Sequence, residues 1–380
     1  MIVRQFLRWI QTATPGERAD ATNALARAYL YSDLTQEDRL AAQAAMTVLL
    51  DDPSPLVRKA LAEALASSDM APRSVVLSLV QDQPDIAETI AGRSPLLGDA
   101  ELVDLAAGGS EKIQCAIAAR APLSRTVAAA LAEVGGAAAC LTLIENFDAQ
   151  FDAEEVARIA ERHGHLAAVR EELLGRDDLP VETRQALVAK LSDTLAHFVA
   201  HKEWLPSDRA RNVTREACDR ATVALASETR EDEVEPLVRH LVETRQLTGG
   251  LVLRALVAGN LCFFVEALAQ LSGYDRRRVE AIVSDRSGHG FEALYRQSGL
   301  PRAALRGFRA ALQVIYESDT SANLLGHAVF RRRMIENVLA RCERADENGL
   351  DHLYVMLRKF AGEAAREEAR LYAADLLAAA

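Results

Sequence analysis

The feature that most constrains this chain is an apolar pair, four residues apart, that recurs at a nearly constant interval through its first half. Val57 and Leu61 are followed by Ile86 and Ile90, Ile113 and Ile117, Cys140 and Ile144, and Val169 and Leu173. The second members step by 29, 27, 27 and 29 residues. Apolar residues at i and i+4 share one helical face. Repetition at this interval points to an array of helix pairs, each too small to bury its own apolar face and therefore stacked on its neighbours.

The clearest unit runs from Leu49-Leu50-Asp51-Asp52-Pro53-Ser54-Pro55 into Leu56-Val57-Arg58-Lys59-Ala60-Leu61 and resembles a HEAT repeat. Pro53 and Pro55 stop one helix and suit the opening of the next. Val57, Ala60, Leu61, Ala64 and Leu65 form one stripe, and Arg58 is expected to face Asp51 or Asp52 across the turn. Further helix starts are expected at Gly98-Asp99, Ser124 and Asp152. The period is lost after residue 181, although helices should continue through 187–199 and 209–226. A polar stretch at 228–235, ending at Pro236, suggests a boundary. Glycine-containing turns at 249–250, 259–260, 272–273, 288–290 and 299–301 punctuate the C-terminal part of the chain. No segment sustains period-two alternation. The expected fold class is therefore all-α, with HEAT-like helical repeats over 1–230 forming an α-solenoid and a smaller helical domain over 237–380.

Composition agrees with this reading. Apolar residues make up 49% and aromatics only 5% of 380 residues, a mixture that favours close-packed helices over disorder. The most apolar run, 251–271, contains Arg254, Gly259, Asn260 and Glu266, so two buried helices joined at Gly259-Asn260 account for it better than a membrane span. Arg4 and Arg8 interrupt the first apolar stretch, which does not read as a signal peptide. Cys115, Cys140, Cys218, Cys262 and Cys342 stand singly and read as reduced residues of a cytoplasmic protein.

The net charge of −11 is unevenly spread, with 25 basic against 38 acidic residues before Leu241 and 19 against 17 from there on. Between Arg276 and Arg333 there are 11 basic and 5 acidic residues, so an anionic partner would be recruited there. Ala269, Gly273, Val279 and Ile282 have helix-turn-helix spacing within 262–285, with Arg276, Arg277 and Arg278 at the start of the second helix. Any tight helical hairpin needs the same small residue, glycine and apolar anchors, and Ser272 stands where a DNA-binding motif usually has an apolar residue. Arg302, Arg306 and Arg309 come after Pro301 at i, i+4 and i+7 and share one face. An ordinary solvated surface would instead pair these arginines with Asp275, Glu280 and Asp285. Ser287, Gly288 and Gly290 precede a helix at Phe291 and are a candidate phosphate loop, although such loops are commonly plain turns. Asp193, His197 and His201 at i, i+4 and i+8 share a face that a metal would want, but no fourth ligand is evident. His163-Gly164-His165 reads as a helix-end turn.

Asp82-Gln83-Pro84-Asp85-Ile86-Ala87, Ser94-Pro95-Leu96-Leu97, Ala116-Ile117-Ala118-Ala119-Arg120, Arg176-Asp177-Asp178-Leu179-Pro180 and Gly290-Phe291-Glu292-Ala293-Leu294-Tyr295 carry a family resemblance. On them the chain resembles the bacterial domain of unknown function 2336 family, over roughly residues 18–312. The resemblance implies an alphaproteobacterial cytoplasmic protein built of helical repeats and supplies no catalytic residues. No nucleophile elbow, Cys/His pair or singled-out carboxylate pair is present. The expected function is a non-catalytic interaction scaffold for a protein partner, without cofactor, metal or membrane association. The alternative is a nucleic-acid- or nucleotide-binding regulator acting through 262–285.

Overall fold

The computed structural model describes residues 2–318, 327–344 and 351–378. Every regular element among them is helical, and Leu123 and Ala149 form an isolated parallel bridge. The chain divides into two compact units, Met1–Leu179 and Pro180–Ala380.

The first unit contains α1 (Ile2–Trp9), α2 (Pro15–Tyr31), α3 (Gln36–Leu49), α4 (Pro55–Leu65), α5 (Arg73–Leu79), α6 (Pro84–Arg93), α7 (Asp99–Gly108), α8 (Glu111–Ala118), α9 (Arg125–Val134), α10 (Ala137–Glu145), α11 (Ala153–His163) and α12 (Ala167–Leu174). One row of helices packs in the order α2, α4, α6, α8, α10, α12, and a second in the order α7, α9, α11. Such neighbour-on-neighbour packing is what a helical-repeat array requires. All ten recurring apolar residues lie on α4, α6, α8, α10 and α12 and are buried, from Val57 and Leu61 to Val169 and Leu173.

Polar side chains fasten the repeats to one another. The fourth residue of α2, Arg18, binds the Asp52 carboxylate through Nε at 2.8 Å and Nη2 at 2.9 Å. The fourth residue of α4, Arg58, does the same one repeat later, to Asp82 at 2.6 and 3.1 Å, and donates to the Asp52 backbone carbonyl at 2.6 Å. The expected carboxylate partner at Asp51 or Asp52 is thus replaced by Asp82, because Asp52 is already held by Arg18. In α8 the fourth residue is Gln114, which donates to Ala106 O at 2.8 Å and accepts from Gly136 N at 2.9 Å. Arg170 opens α12 in the same place and donates to Gly164 O and His165 O.

The second unit contains α13 (Val181–His201), α14 (Ser207–Glu228), α15 (Val234–Glu243), α16 (Gly249–Val257), α17 (Leu261–Ser272), α18 (Arg276–Ser284), α19 (Phe291–Gln297), α20 (Leu305–Ser318), α21 (His327–Arg344) and α22 (Asp351–Ala378). The division at Leu179 falls before the polar 228–235 stretch. The reason is packing: α13 lies along α14, then meets α15, while α14 meets α16. Val181, Val223 and Ala226 consequently share one core with Leu237 and Leu241.

Residues 251–271 are two helices, as their polar interruptions suggest. Gly259 turns the chain with φ +85°, and the Asn260 side chain caps α17 by accepting from Phe263 N at 3.0 Å. Residues Leu251 to Val257 are all buried, as expected of a helix that is apolar all round. No helix among the described residues is long and apolar enough to cross a membrane. Phe264, Phe291, Tyr295 and Phe308 form an aromatic cluster beside α17, with centroids 5.2 to 6.4 Å apart.

Ile117→Asp is expected to cost about 3 kcal/mol or more, since a carboxylate would be buried without a partner; an unchanged melting temperature would refute the register. Arg58→Ala should cost about 1.5–3 kcal/mol. Burial raises the Asp82 pKa, but hydrogen bonds from Arg58 and the Gln83 amide outweigh that and hold it below the usual carboxylate range. A depressed folded pKa stabilises above the unfolded value of about 4 and is lost as pH falls through the folded one. Melting curves taken across acidic pH should therefore fall less steeply for Arg58→Ala than for wild type.

Candidate functional site

The helix-turn-helix outline over 262–285 is present as α17, a turn at Gly273 with φ +71°, and α18. Val279 and Val283 are buried against it, and Ser272 is buried with its Oγ accepting from Tyr274 N at 3.3 Å. Two of the three arginines have internal work. Arg276 donates to Glu231 Oε1 at 2.6 Å and lies 3.9 Å from buried Glu266. The Arg278 guanidinium stacks over the Tyr274 ring at 4.3 Å. Arg277 is exposed and makes no ion pair among the described residues.

Arg302 lies in a short 3-10 turn, Arg302–Ala304, ahead of α20, whose first turn and a half carries Arg306 and Arg309. Arg309 is 3.9 Å from Glu292, which Arg296 also holds at 2.5 Å. Arg276 and Arg309 therefore answer to different carboxylates. The expected partners Asp275 and Asp285 are otherwise engaged: Asp275 caps α18 by accepting from Arg277 N at 2.9 Å, and Asp285 serves the next loop.

That loop is the one containing Ser287, Gly288 and Gly290. Ser287 N donates to Asp285 Oδ1 at 3.0 Å and Ser287 Oγ donates to Oδ2 at 2.6 Å. Both Ser287 donors are thus taken by the chain's own carboxylate, Gly288 N donates to the Asp285 backbone carbonyl at 3.1 Å, and the segment is an Asp-closed turn. Hydrogen bonds from Ser287 hold Asp285 below the usual carboxylate range. Asp193, His197 and His201 lie on an exposed face of α13, and among the described residues no group of three or more His, Cys, Asp or Glu is placed to hold a metal. His163 is half-buried and its Nε2 donates to Gly135 O at 3.1 Å, a repeat-to-repeat contact like those of Arg18 and Arg58.

What pattern reading missed is a pair of clefts beside α14. One, of about 610 Å³, is lined by Asp193, Arg211, Arg215, Arg245 and Gln246, among others. The other, of about 530 Å³, has a polar wall of Asn212, Arg215, Asp219 and Thr248 facing Pro301, Ala303, Leu353 and Met356. Asn212, Arg215, Asp219 and Thr248 border both. Burial pushes the half-buried Asp219 carboxyl above its ordinary pKa, against the pull of Arg254 and Arg215, and Glu216 pushes the same way. A desolvated carboxyl in a cleft is a mark of functional sites. The signal in the sequence was slight: Arg215 and Asp219 stand one turn apart, and Thr248-Gly249-Gly250 opens a helix.

The model of a family described as an uncharacterised protein conserved in bacteria, DUF2336, matches residues 86–348. The chain belongs to this family. The matched stretch begins in α6 and takes in the last repeats, the α13–α14 hairpin, the Arg276 turn and most of the cleft wall, while Leu353 and Met356 lie beyond it. No match is found among curated proteins or among solved structures. The family shares no described chemistry to transfer to these residues, so function rests on geometry.

Because the Asp219 pKa is raised in the fold, its neutral form is favoured there and stability declines as pH rises from the unfolded value of about 4 through the folded one. Asp219→Asn should abolish that decline. The melting-temperature difference between variant and wild type should grow across this window and then level off; a difference independent of pH would sink the assignment.

Proposed function

We propose that the protein is a non-catalytic interaction protein that docks a protein partner, with its helical repeats supplying scaffold surface. The observation that supports this reading is the tip of the α13–α14 hairpin. Helices of 21 and 22 residues meet there at a turn in which Glu203 takes φ +57°. Phe198 and Trp204 stack edge to face at 5.7 Å, yet Trp204 is 68% exposed and Phe198 48%. Leu195 and Val213, near the same end, are similarly exposed. A desolvatable aromatic pair on rigid helices is the kind of anchor that dominates protein interfaces.

The nucleic-acid reading lacks comparable support. Arg276 and Arg309 are shared with Glu231, Glu266 and Glu292, and phosphate contacts must first win such arginines from their own carboxylates. The test is affinity capture with and without nuclease, then direct binding of the identified, purified partner to wild type and to a Phe198→Ala, Trp204→Ala double variant. A nuclease-resistant partner whose affinity falls at least about tenfold in the variant is the expected outcome. A partner released by nuclease, or one bound equally by the variant, would overturn the reading.

A further inference from the structure

We propose that the cleft of about 530 Å³ beside α14 binds a small amphipathic carboxylate, its head held by Arg215 and Thr248 and its apolar body laid over Pro301, Leu353 and Met356. This site is separate from the hairpin tip and does not depend on it.

The volume lies within the roughly 300–1,000 Å³ of small-molecule sites, and the division of its lining into one apolar and one polar side matches how such sites orient a ligand. On the polar side, donors predominate. Arg215 is exposed and makes no ion pair or side-chain hydrogen bond among the described residues. The Thr248 hydroxyl accepts from Leu251 N at 3.2 Å, which leaves its own proton to give. Asn212 adds an amide, and the first residues of α16, Gly249 and Gly250, have no intrahelical acceptor for their N–H groups. A Cβ on Gly249 would come within 3.2 Å of Pro301, and one on Gly250 within 3.5 Å of the Met356 sulfur, so backbone and apolar floor approach each other closely.

The acids of the same wall are poorly placed for a cation. Glu216 is held by Lys359 of α22. Asp219 is raised above its ordinary pKa chiefly by burial, with Arg254 of α16 and Arg215 opposing and Glu216 assisting. Arg254 is itself neutralised by Glu363 of α22 at 2.5 Å, and Asp193 of α13 acts on the neighbouring Cys218. A neutral Asp219 can donate a hydrogen bond to a carboxylate, whereas an ionised one repels it. A single guanidinium with neutral donors suits a monoanion better than a phosphate dianion.

The experiment is calorimetric titration of the full chain with sodium octanoate, octylammonium chloride and 1-octanol at about pH 7, where octanoate is ionised. Octanoate should bind best. Arg215→Ala should lose about tenfold, whereas Asp219→Asn, which keeps a donor and cannot ionise, should bind octanoate at least as well as wild type. Ala303→Trp, at an exposed position on the cleft wall, should abolish binding while the melting temperature holds. Failure of folded wild type to bind octanoate would overturn the proposal, as would a preference for octylammonium or for inorganic phosphate added as a competitor. Octanoate binding that survives both Arg215→Ala and Ala303→Trp would overturn it equally.

Discussion

Helices of eight to eleven residues, such as α4, α6, α8 and α12, are marginal in water on their own. Each survives because its apolar stripe is covered by the helix before and the helix after, so the first unit is held together by adjacency. Short helices bring a second demand, for every end leaves carbonyls without intrahelical partners, and in a stack many of those ends are enclosed. The donors come from the helix that follows or from the next repeat. Arg58 reaches Asp52 O, Gln114 reaches Ala106 O, Arg120 reaches Ala91 O and Ser94 O, Arg162 reaches Ala132 O and Gly135 O, and Arg170 reaches Gly164 O. The stripe sets the spacing, and these side chains set the register of each turn against the next.

The second unit meets the same demands with longer helices wrapped around α16 and α17. Charges admitted to that interior are paired, as burial requires. Arg254 is neutralised by Glu363 and lies 4.0 Å over the Phe360 ring, which ties α22 to the core. Glu266 accepts from Gln270 and faces Arg276. Arg276 thus belongs to the support of the α17–α18 turn. Among the features that folding leaves unused are the aromatic hairpin tip and the donor-rich cleft, the two places where binding is proposed.

Much of this architecture was legible beforehand. The apolar pairs named their own helices, the Gly259-Asn260 interruption named the joint between α16 and α17, and Gly273 named the sharp turn. The basic segment was legible as charge but not as geometry, because charge in a sequence carries no information about which carboxylate will stand opposite. Asp82 lies 24 residues from Arg58, and Glu231 lies 45 residues from Arg276. At the Ser287 loop, too, the sequence did not show that Asp285 accepts the serine's own donors.

By itself the sequence determined the helical character of the chain, the interval of its repeats and the faces each helix would bury, since these follow from local propensity and a periodicity of 3.6 residues. Only the tertiary structure decided where the two units divide, which acids neutralise which arginines, and that Asp219, Thr248, Pro301 and Met356 border one cleft. Those outcomes depend on contacts between residues far apart in the chain, and no local pattern encodes a distance that only packing creates.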